Sequence, residues 1–163
     1  EVENMKTIEE YGKIAEENFT KGMNCHQAVL CTFVDDLGEK VCGINHETAM
    51  KLGASFGAGM GRLREVCGAD SAMFSVAGLL WGYDENSPSE AKGEHYELIQ
   101  ELAAEFTKEN GNIVCRKLLG LDTTGADSPT PEKRTTEYYK KRPCKLLVGD
   151  AAKIIASKII ERL

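Results

Sequence analysis

Apolar residues recur along most of the chain at intervals of three and four, which is the spacing of one face of an α-helix. Alternation of apolar and polar residues, which marks a half-buried strand, is nearly absent, and no Asn-Gly hairpin turn separates β-branched runs. The pattern therefore predicts an all-α protein. The predicted helices cover residues 8–21, 25–37, 46–52, 67–81, 90–109, 113–119, 130–139 and 143–163.

Polar residues in front of these apolar stretches mark where helices begin. Thr7 with Glu10 and Asn24 with Gln27 have the capping-box spacing, in which each side chain bonds the backbone N–H of the other residue. Gly38 follows an apolar stretch and is expected to end its helix, because glycine adopts a positive φ without strain. These signals place a helix start directly at Cys25.

One predicted helix, over residues 67–81, is apolar on most of its circumference, so we expect it to be buried at the centre of the molecule. A chain of 163 residues is long enough to bury one sizeable core without disulfides. We therefore expect a single helical domain, residues 1–163, built as a bundle of about seven helices around a central apolar helix.

A glycine-rich run precedes the central helix. Gly57, Gly59 and Gly61 alternate with small residues, and Arg62 and Arg64 follow them. A dinucleotide-binding fingerprint would need a preceding strand and a βαβ unit, and neither is predicted here. We interpret the run as a tight loop that lets Cys67 approach neighbouring backbone, and we keep Gly57, Gly59, Gly61 and Arg62 as a candidate cofactor-binding or anion-binding loop with exposed N–H groups.

Composition and charge exclude two classes of partner. The net charge is −6 and the pI is about 5.2, and no basic cluster is interleaved with aromatic residues, so nucleic acid is not expected as a partner. No apolar run reaches the roughly 18 residues needed to span a bilayer. We expect a cytoplasmic protein, and the removal of a leader stays open because the chain begins without methionine.

Cysteine is the unusual part of the composition, with six in the chain. Four of them lie where a helix is predicted to begin, and a helix N-terminus favours the thiolate and lowers the pKa of a cysteine. Cys31 and Cys42 do not share this placement. The alternative is that all six are buried structural thiols. The four candidate site residues are Cys25, Cys67, Cys115 and Cys144.

The segments around these four cysteines follow a recognisable order: Gly22-x-Asn24-Cys25-x-Gln27-Ala28, Cys67-Gly68-Ala69, Cys115-x-x-Leu118-Leu119-Gly120, and Cys144 with Ala151-Ala152. In this order, from residue 21 to the C-terminus, the chain resembles the C_GCAxxG_C_C family of redox-active proteins. The resemblance implies a small redox protein in which these four cysteines are the working residues. Ala72 departs from the family pattern, which has glycine there; the change adds one methyl group and removes no chemistry.

Two kinds of chemistry fit four such cysteines. They can act as dithiol/disulfide pairs that pass electrons to a redox partner, which makes the protein a candidate oxidoreductase with Cys67 as the central thiolate. They can instead all ligate an iron–sulfur cluster or a zinc ion, although their spacing is not that of a ferredoxin. A non-catalytic helical binding module is the rival from a different class. The redox partner and the oligomeric state are not specified by the sequence.

Asp70 lies in the first turn after Cys67. We interpret it as a negative charge that favours the N-terminus of its helix, with proton transfer as the alternative.

Overall fold

The helices expected from the apolar pattern are present in the computed structural model, which describes residues 4–122 and 124–163. Within these residues there is no β-strand, only one isolated antiparallel bridge between Val66 and Val114. The all-α prediction is confirmed. Ten segments have helical hydrogen bonds: α1 (Ile8–Thr20), α2 (Cys25–Leu37), α3 (Glu39–Cys42), α4 (His46–Gly53), α5 (Gly57–Met60), α6 (Gly68–Trp81), α7 (Ala91–Asn110), α8 (Cys115–Leu118), α9 (Thr136–Lys141) and α10 (Cys144–Glu161).

The predicted helix starts were accurate where a side chain caps the helix by accepting a backbone N–H of its first turn. Both predicted capping boxes, Thr7 with Glu10 and Asn24 with Gln27, are present. The helix predicted from residue 130 is an exception, because α9 begins only at Thr136. There the Thr135 side chain accepts the N–H of Tyr138 at 3.2 Å and so provides the cap.

The centre of the bundle is formed by α2 and α6 together. Every residue of α2 from 28 to 34 is buried, and α6 packs along it. Helix α10 lies against α1, α2 and α6, and α7 covers the outer side of α6 and α10. None of the described helices is both long enough and apolar enough to cross a membrane.

The ends of α2, α6 and α10 matter most for function, because their N-termini meet on one side of the bundle. The cavity at this end is lined by residues from the first turn of each of these helices. The large contact between α1 and α10 fixes the position of α10. The hydrophobic core therefore holds the start of each helix in a defined place.

Leu102 in α7 is fully buried, whereas Leu146 in α10 is 65% exposed. We expect Leu102→Ala to lower the free energy of unfolding by about 2–5 kcal/mol, because it leaves a cavity in the core. The same change at Leu146 is expected to cost less than about 0.5 kcal/mol. Urea denaturation of both variants measures the difference, and equal losses would contradict the described core.

Candidate functional site

Four cysteines line one cavity of about 300 Å³. They are the four that the sequence places at predicted helix starts. Cys25, Cys115 and Cys144 are the first residues of α2, α8 and α10, and Cys67 immediately precedes α6. Cys67 and Cys115 are each 6% exposed, whereas Cys25 and Cys144 are half-buried. Cys31 and Cys42 lie in the hydrophobic core and do not line the cavity.

Polar contacts to α4 fix the start of α2, which carries Cys25. The Asn24 side-chain amide donates to the carbonyl oxygen of Gly53 at 3.1 Å, and that of Gln27 donates to the carbonyl oxygen of Met50 at 2.9 Å. Gly57 packs so closely that an added Cβ would lie 2.6 Å from the Asn24 side chain. The capping box therefore both starts α2 and attaches it to its neighbour.

The glycine-rich run forms a left-handed turn. All five residues from 58 to 62 have φ between 56° and 69°, and Arg64 has φ of 58°. Ala58, Met60, Arg62 and Arg64 carry side chains in a region that L-residues avoid, at a cost of roughly 1–2 kcal/mol each. Segment α5 thus has helical hydrogen bonds but a left-handed backbone.

This left-handed turn brings backbone to two of the sulfurs. The N–H of Ala58 donates to Cys25 Sγ at 3.5 Å. An added Cβ on Gly59 would lie 2.7 Å from the Cys115 Cβ. The close approach therefore serves Cys25 and Cys115, and not Cys67 as the sequence suggested.

A short backbone pairing joins two of the cysteine segments. The N–H of Cys67 donates to the carbonyl oxygen of Ile113 at 2.8 Å, and the N–H of Cys115 donates to that of Glu65 at 2.6 Å. These bonds flank the bridge between Val66 and Val114. The pairing holds Cys67 and Cys115 at the same cavity, and two residues on each side are too few to give a strand signal in the sequence.

Burial has the largest effect on the pKa values of three of the four thiols. It raises the pKa of Cys67 well above the usual range, and it raises the pKa of Cys115 and also that of Cys144, the latter to about 12. The negative charge of a Cys25 thiolate raises all three further. The net pKa values of these three thiols are therefore raised and not lowered as their helix N-termini predicted, because burial destabilises the thiolate more than the helix terminus stabilises it.

Arg64 offsets part of this effect at Cys115. Its guanidinium Nη1 donates to Cys115 Sγ at 3.7 Å and thereby lowers the pKa of that thiol. At Cys67 the backbone N–H groups of Ala69 and Asp70 act in the same direction. Both cysteines therefore have donors aimed at sulfur, although burial remains the larger effect.

Asp70 is fully buried beside Cys67. Neither of its carboxyl oxygens has a hydrogen-bond partner among the described residues. Burial raises the pKa of Asp70 to about 8, and the adjacent Cys67 thiol opposes part of that rise. Asp70 is thus mainly protonated at neutral pH, which does not fit its interpretation as a negative charge at the start of α6.

His26 has a structural environment. Its Nδ1 lies 2.9 Å from the Ser71 hydroxyl and its Nε2 lies 3.3 Å from the Ser75 hydroxyl, so the ring links α2 to α6. Burial lowers the pKa of His26 to about 4, which keeps the imidazole neutral. Both ring nitrogens are occupied by these hydroxyls of α6, and neither bonds the sulfur of Cys25 among the described contacts.

Four arginines line the same cavity: Arg62, Arg64, Arg134 and Arg142. Sequence reasoning identified Arg62 and considered Arg64 but missed the other two, which lie in a polar stretch rich in lysine. The one feature of the sequence that could have drawn attention to them is that arginine is rare, since the sequence has only six. Asp127 was also missed; its carboxylate accepts from Arg62 and Arg64 at 3.3 Å and 3.1 Å.

Of the candidate cofactor loop, Gly57, Gly61 and Arg62 line the cavity, and Gly59 lies behind it against Cys115. All six cysteines are free thiols. Over residues 4–122 and 124–163, no group of three or more His, Cys, Asp or Glu side chains is arranged to hold a metal ion.

The segment that contains these four cysteines matches one family of known sequences. The sequence model of the C_GCAxxG_C_C family, described as "putative redox-active protein", matches residues 23–158. The chain belongs to the C_GCAxxG_C_C family. No curated protein and no solved structure matched it. The four cysteines on which we based the resemblance to this family surround one cavity.

The first prediction from the site concerns Asp70. Folding raises the pKa of this carboxyl. The protein therefore loses stability as the pH rises from the pKa in the unfolded state, near 4, towards the pKa in the folded state, near 8. Asp70→Asn cannot ionise, so we expect its free energy of unfolding to rise relative to that of the wild type by about 1.4 kcal/mol for each pH unit in this range. Urea denaturation across this range measures the gap. Asp84→Asn, at an exposed carboxyl, is the control, and a gap that stays constant with pH would contradict the assignment.

The second prediction concerns the left-handed turn. Met60 has φ of 68° and is 37% exposed, so Met60→Gly relieves strain and loses little packing. We expect a gain of about 1 kcal/mol in the free energy of unfolding. Leu63→Gly is the matched control, because Leu63 is exposed and lacks a positive φ, and it is expected to lose about 0.5–1 kcal/mol. A loss at both positions would argue against the left-handed backbone.

Proposed function

We propose that this member of the C_GCAxxG_C_C family is a dithiol/disulfide oxidoreductase that reacts at the cysteine cavity. The observation that carries the proposal is the convergence of four cysteines, distant in sequence, on one cavity. Cys25 is the common neighbour, because the charge of its thiolate acts on each of the other three. Cys25 is half-buried and lines the cavity, so we expect a substrate that enters the cavity to reach it.

The reaction begins with attack by the Cys25 thiolate on a sulfur of a disulfide substrate. A mixed disulfide forms, and the first half of the substrate leaves as a thiolate. Cys67 then attacks the sulfur of Cys25, which releases the second half. One disulfide of the substrate has gained two electrons, and the protein holds a Cys25–Cys67 disulfide in its place.

The position of Cys25 against the start of α6 supports Cys67 as the second cysteine. A Cβ added to Gly68 would lie only 2.7 Å from Cys25 Sγ, so glycine at this position gives the sulfur its space. The Asp70 carboxyl beside Cys67 is itself mainly protonated, so the thiol proton that Cys67 loses as it attacks would pass to the substrate thiolate released in the first step. Cys115 and Cys144 form the second pair, which can exchange with the first through Cys25.

Metal ligation is the second candidate function, because four cysteines line one cavity, although the described side chains are not arranged to hold a metal ion. An iron–sulfur cluster or a zinc ion would use Cys25, Cys67, Cys115 and Cys144 as ligands. The donors aimed at the sulfurs, Arg64 among them, would tune such a centre. Iron, sulfide and zinc content after anaerobic purification distinguishes this function from thiol exchange.

The test of thiol exchange uses the reduced protein and bis(2-hydroxyethyl) disulfide under anaerobic conditions. We expect loss of two thiols per turnover and a Cys25–Cys67 disulfide identified by peptide mass spectrometry. Cys25→Ser should abolish the reaction. Cys67→Ser combined with Cys115→Ser and Cys144→Ser should instead retain one half of the substrate as a mixed disulfide on Cys25, because no other thiol of the cavity is left for the second attack.

Cys31→Ser and Cys42→Ser are the matched controls, since both thiols are buried away from the cavity and should leave the reaction intact. A metal-free protein whose thiols all survive the treatment would overturn thiol exchange and leave the binding-module alternative. Stoichiometric iron and sulfide bound through the four cysteines would favour the second candidate.

A further inference from the structure

The cavity gathers positive charge in an acidic protein. The chain has a net charge of −6 and only six arginines, yet four of the six line this one cavity beside the cysteines. Its described lining contains no lysine. Arginine presents a planar fork of N–H donors that matches the oxygens of a carboxylate. The presence of arginine without lysine in the lining therefore indicates that the cavity recognises an anionic group.

The ion pairs around the cavity fix these arginines without neutralising all of them. Arg62 and Arg64 share the single carboxylate of Asp127, and Arg142 pairs with Glu132 at 2.6 Å. Two carboxylates thus face four guanidinium groups. The side chains of Arg62, Arg64 and Arg142 are only 13%, 5% and 16% exposed, so their positions are set before any ligand binds.

Arg134 has no carboxylate partner among the described residues. Its guanidinium donates to the backbone carbonyl oxygens of Phe19 and Met23 and lies 4.0 Å above the centre of the Phe19 ring. These contacts orient the group but leave its full charge uncompensated. Arg134 can therefore form an ion pair with an anion that enters the cavity.

We propose that the cavity binds a low-molecular-weight disulfide that carries carboxylate groups, and that Arg134 and its neighbours hold these groups while the disulfide reacts at Cys25. The inference rests on the thiol-exchange function proposed above. The volume of about 300 Å³ suits a small molecule better than a segment of protein.

The reaction balances without a further reagent. The S–S bond of the substrate breaks, and one forms between Cys25 and Cys67. Two electrons pass from the protein to the substrate. The proton of Cys67 and one proton from solvent convert the two halves of the substrate into thiols.

Charge gives the proposal a distinctive signature. A thiolate without nearby cations repels an anionic disulfide, so cationic disulfides would react fastest with it. Surplus arginine charge at the cavity reverses this order, because it attracts the anion to the reacting sulfur. The order of reaction among disulfides that differ only in charge therefore reports on the arginines.

Three probes share one reactive disulfide and a two-carbon arm: 3,3′-dithiodipropionate is anionic, bis(2-hydroxyethyl) disulfide is neutral and cystamine is cationic. We expect the reduced protein to react with the anionic probe about 10-fold faster than with the neutral one, and most slowly with cystamine. Added salt should shrink the preference. Equal rates, or the reverse order, would overturn the inference while leaving thiol exchange intact.

Failure of all three probes to oxidise the protein would instead overturn the proposed function itself. Arg134→Gln should reduce the ratio of the anionic to the neutral rate. Arg162→Gln is the matched control, because Arg162 lies over the Trp81 ring, outside the cavity lining, and should keep the wild-type ratio. An unchanged ratio in folded Arg134→Gln would contradict the role of Arg134; if that variant does not fold, the salt dependence of the wild-type preference decides.

Discussion

The backbone pairing between residues 64–67 and 113–116 is the constraint on which the cavity depends. Its two short N–H···O bonds join segments almost fifty residues apart and fix Cys67 and Cys115 at one place. The left-handed turn at 58–62 lies directly before the first of these segments and directs Arg62 and Arg64 to the cavity. The packed N-termini of α2 and α10 then place Cys25 and Cys144 at the same cavity. The four cysteine segments therefore converge through this backbone pairing together with the packing of α2 and α10.

Local signals explain what could be predicted from the sequence. The start of α2 at Cys25 follows from a capping box whose two members are three residues apart, and the apolar period of α6 and α10 is visible within each helix. These features depend on neighbouring residues alone, so the fold class and the candidate cysteines were accessible. The family resemblance used the same residues, and the family match confirms it.

Features that depend on distant residues were not accessible. The Val66–Val114 bridge, the sharing of Asp127 by two arginines and the approach of Arg134 to Phe19 all join segments far apart in the chain. The acidity of Cys67 was misjudged for the same reason, because the placement of a residue at a helix start is local whereas its burial is set by the whole fold. Where the two conflict, burial has the stronger influence on the pKa.

The unequal exposure of the four sulfurs has a consequence for oxidative damage. A sulfur open to peroxide passes first to a sulfenic acid, which continues to irreversible sulfinic and sulfonic acids unless a thiol traps it. Cys25 and Cys144 are the accessible members, and each has shielded thiols as neighbours in the same cavity. With the proposed thiol function, a sulfenic acid on either one would condense with such a neighbour to a disulfide and release water. Oxidation would then stop at a step that reducing equivalents can reverse.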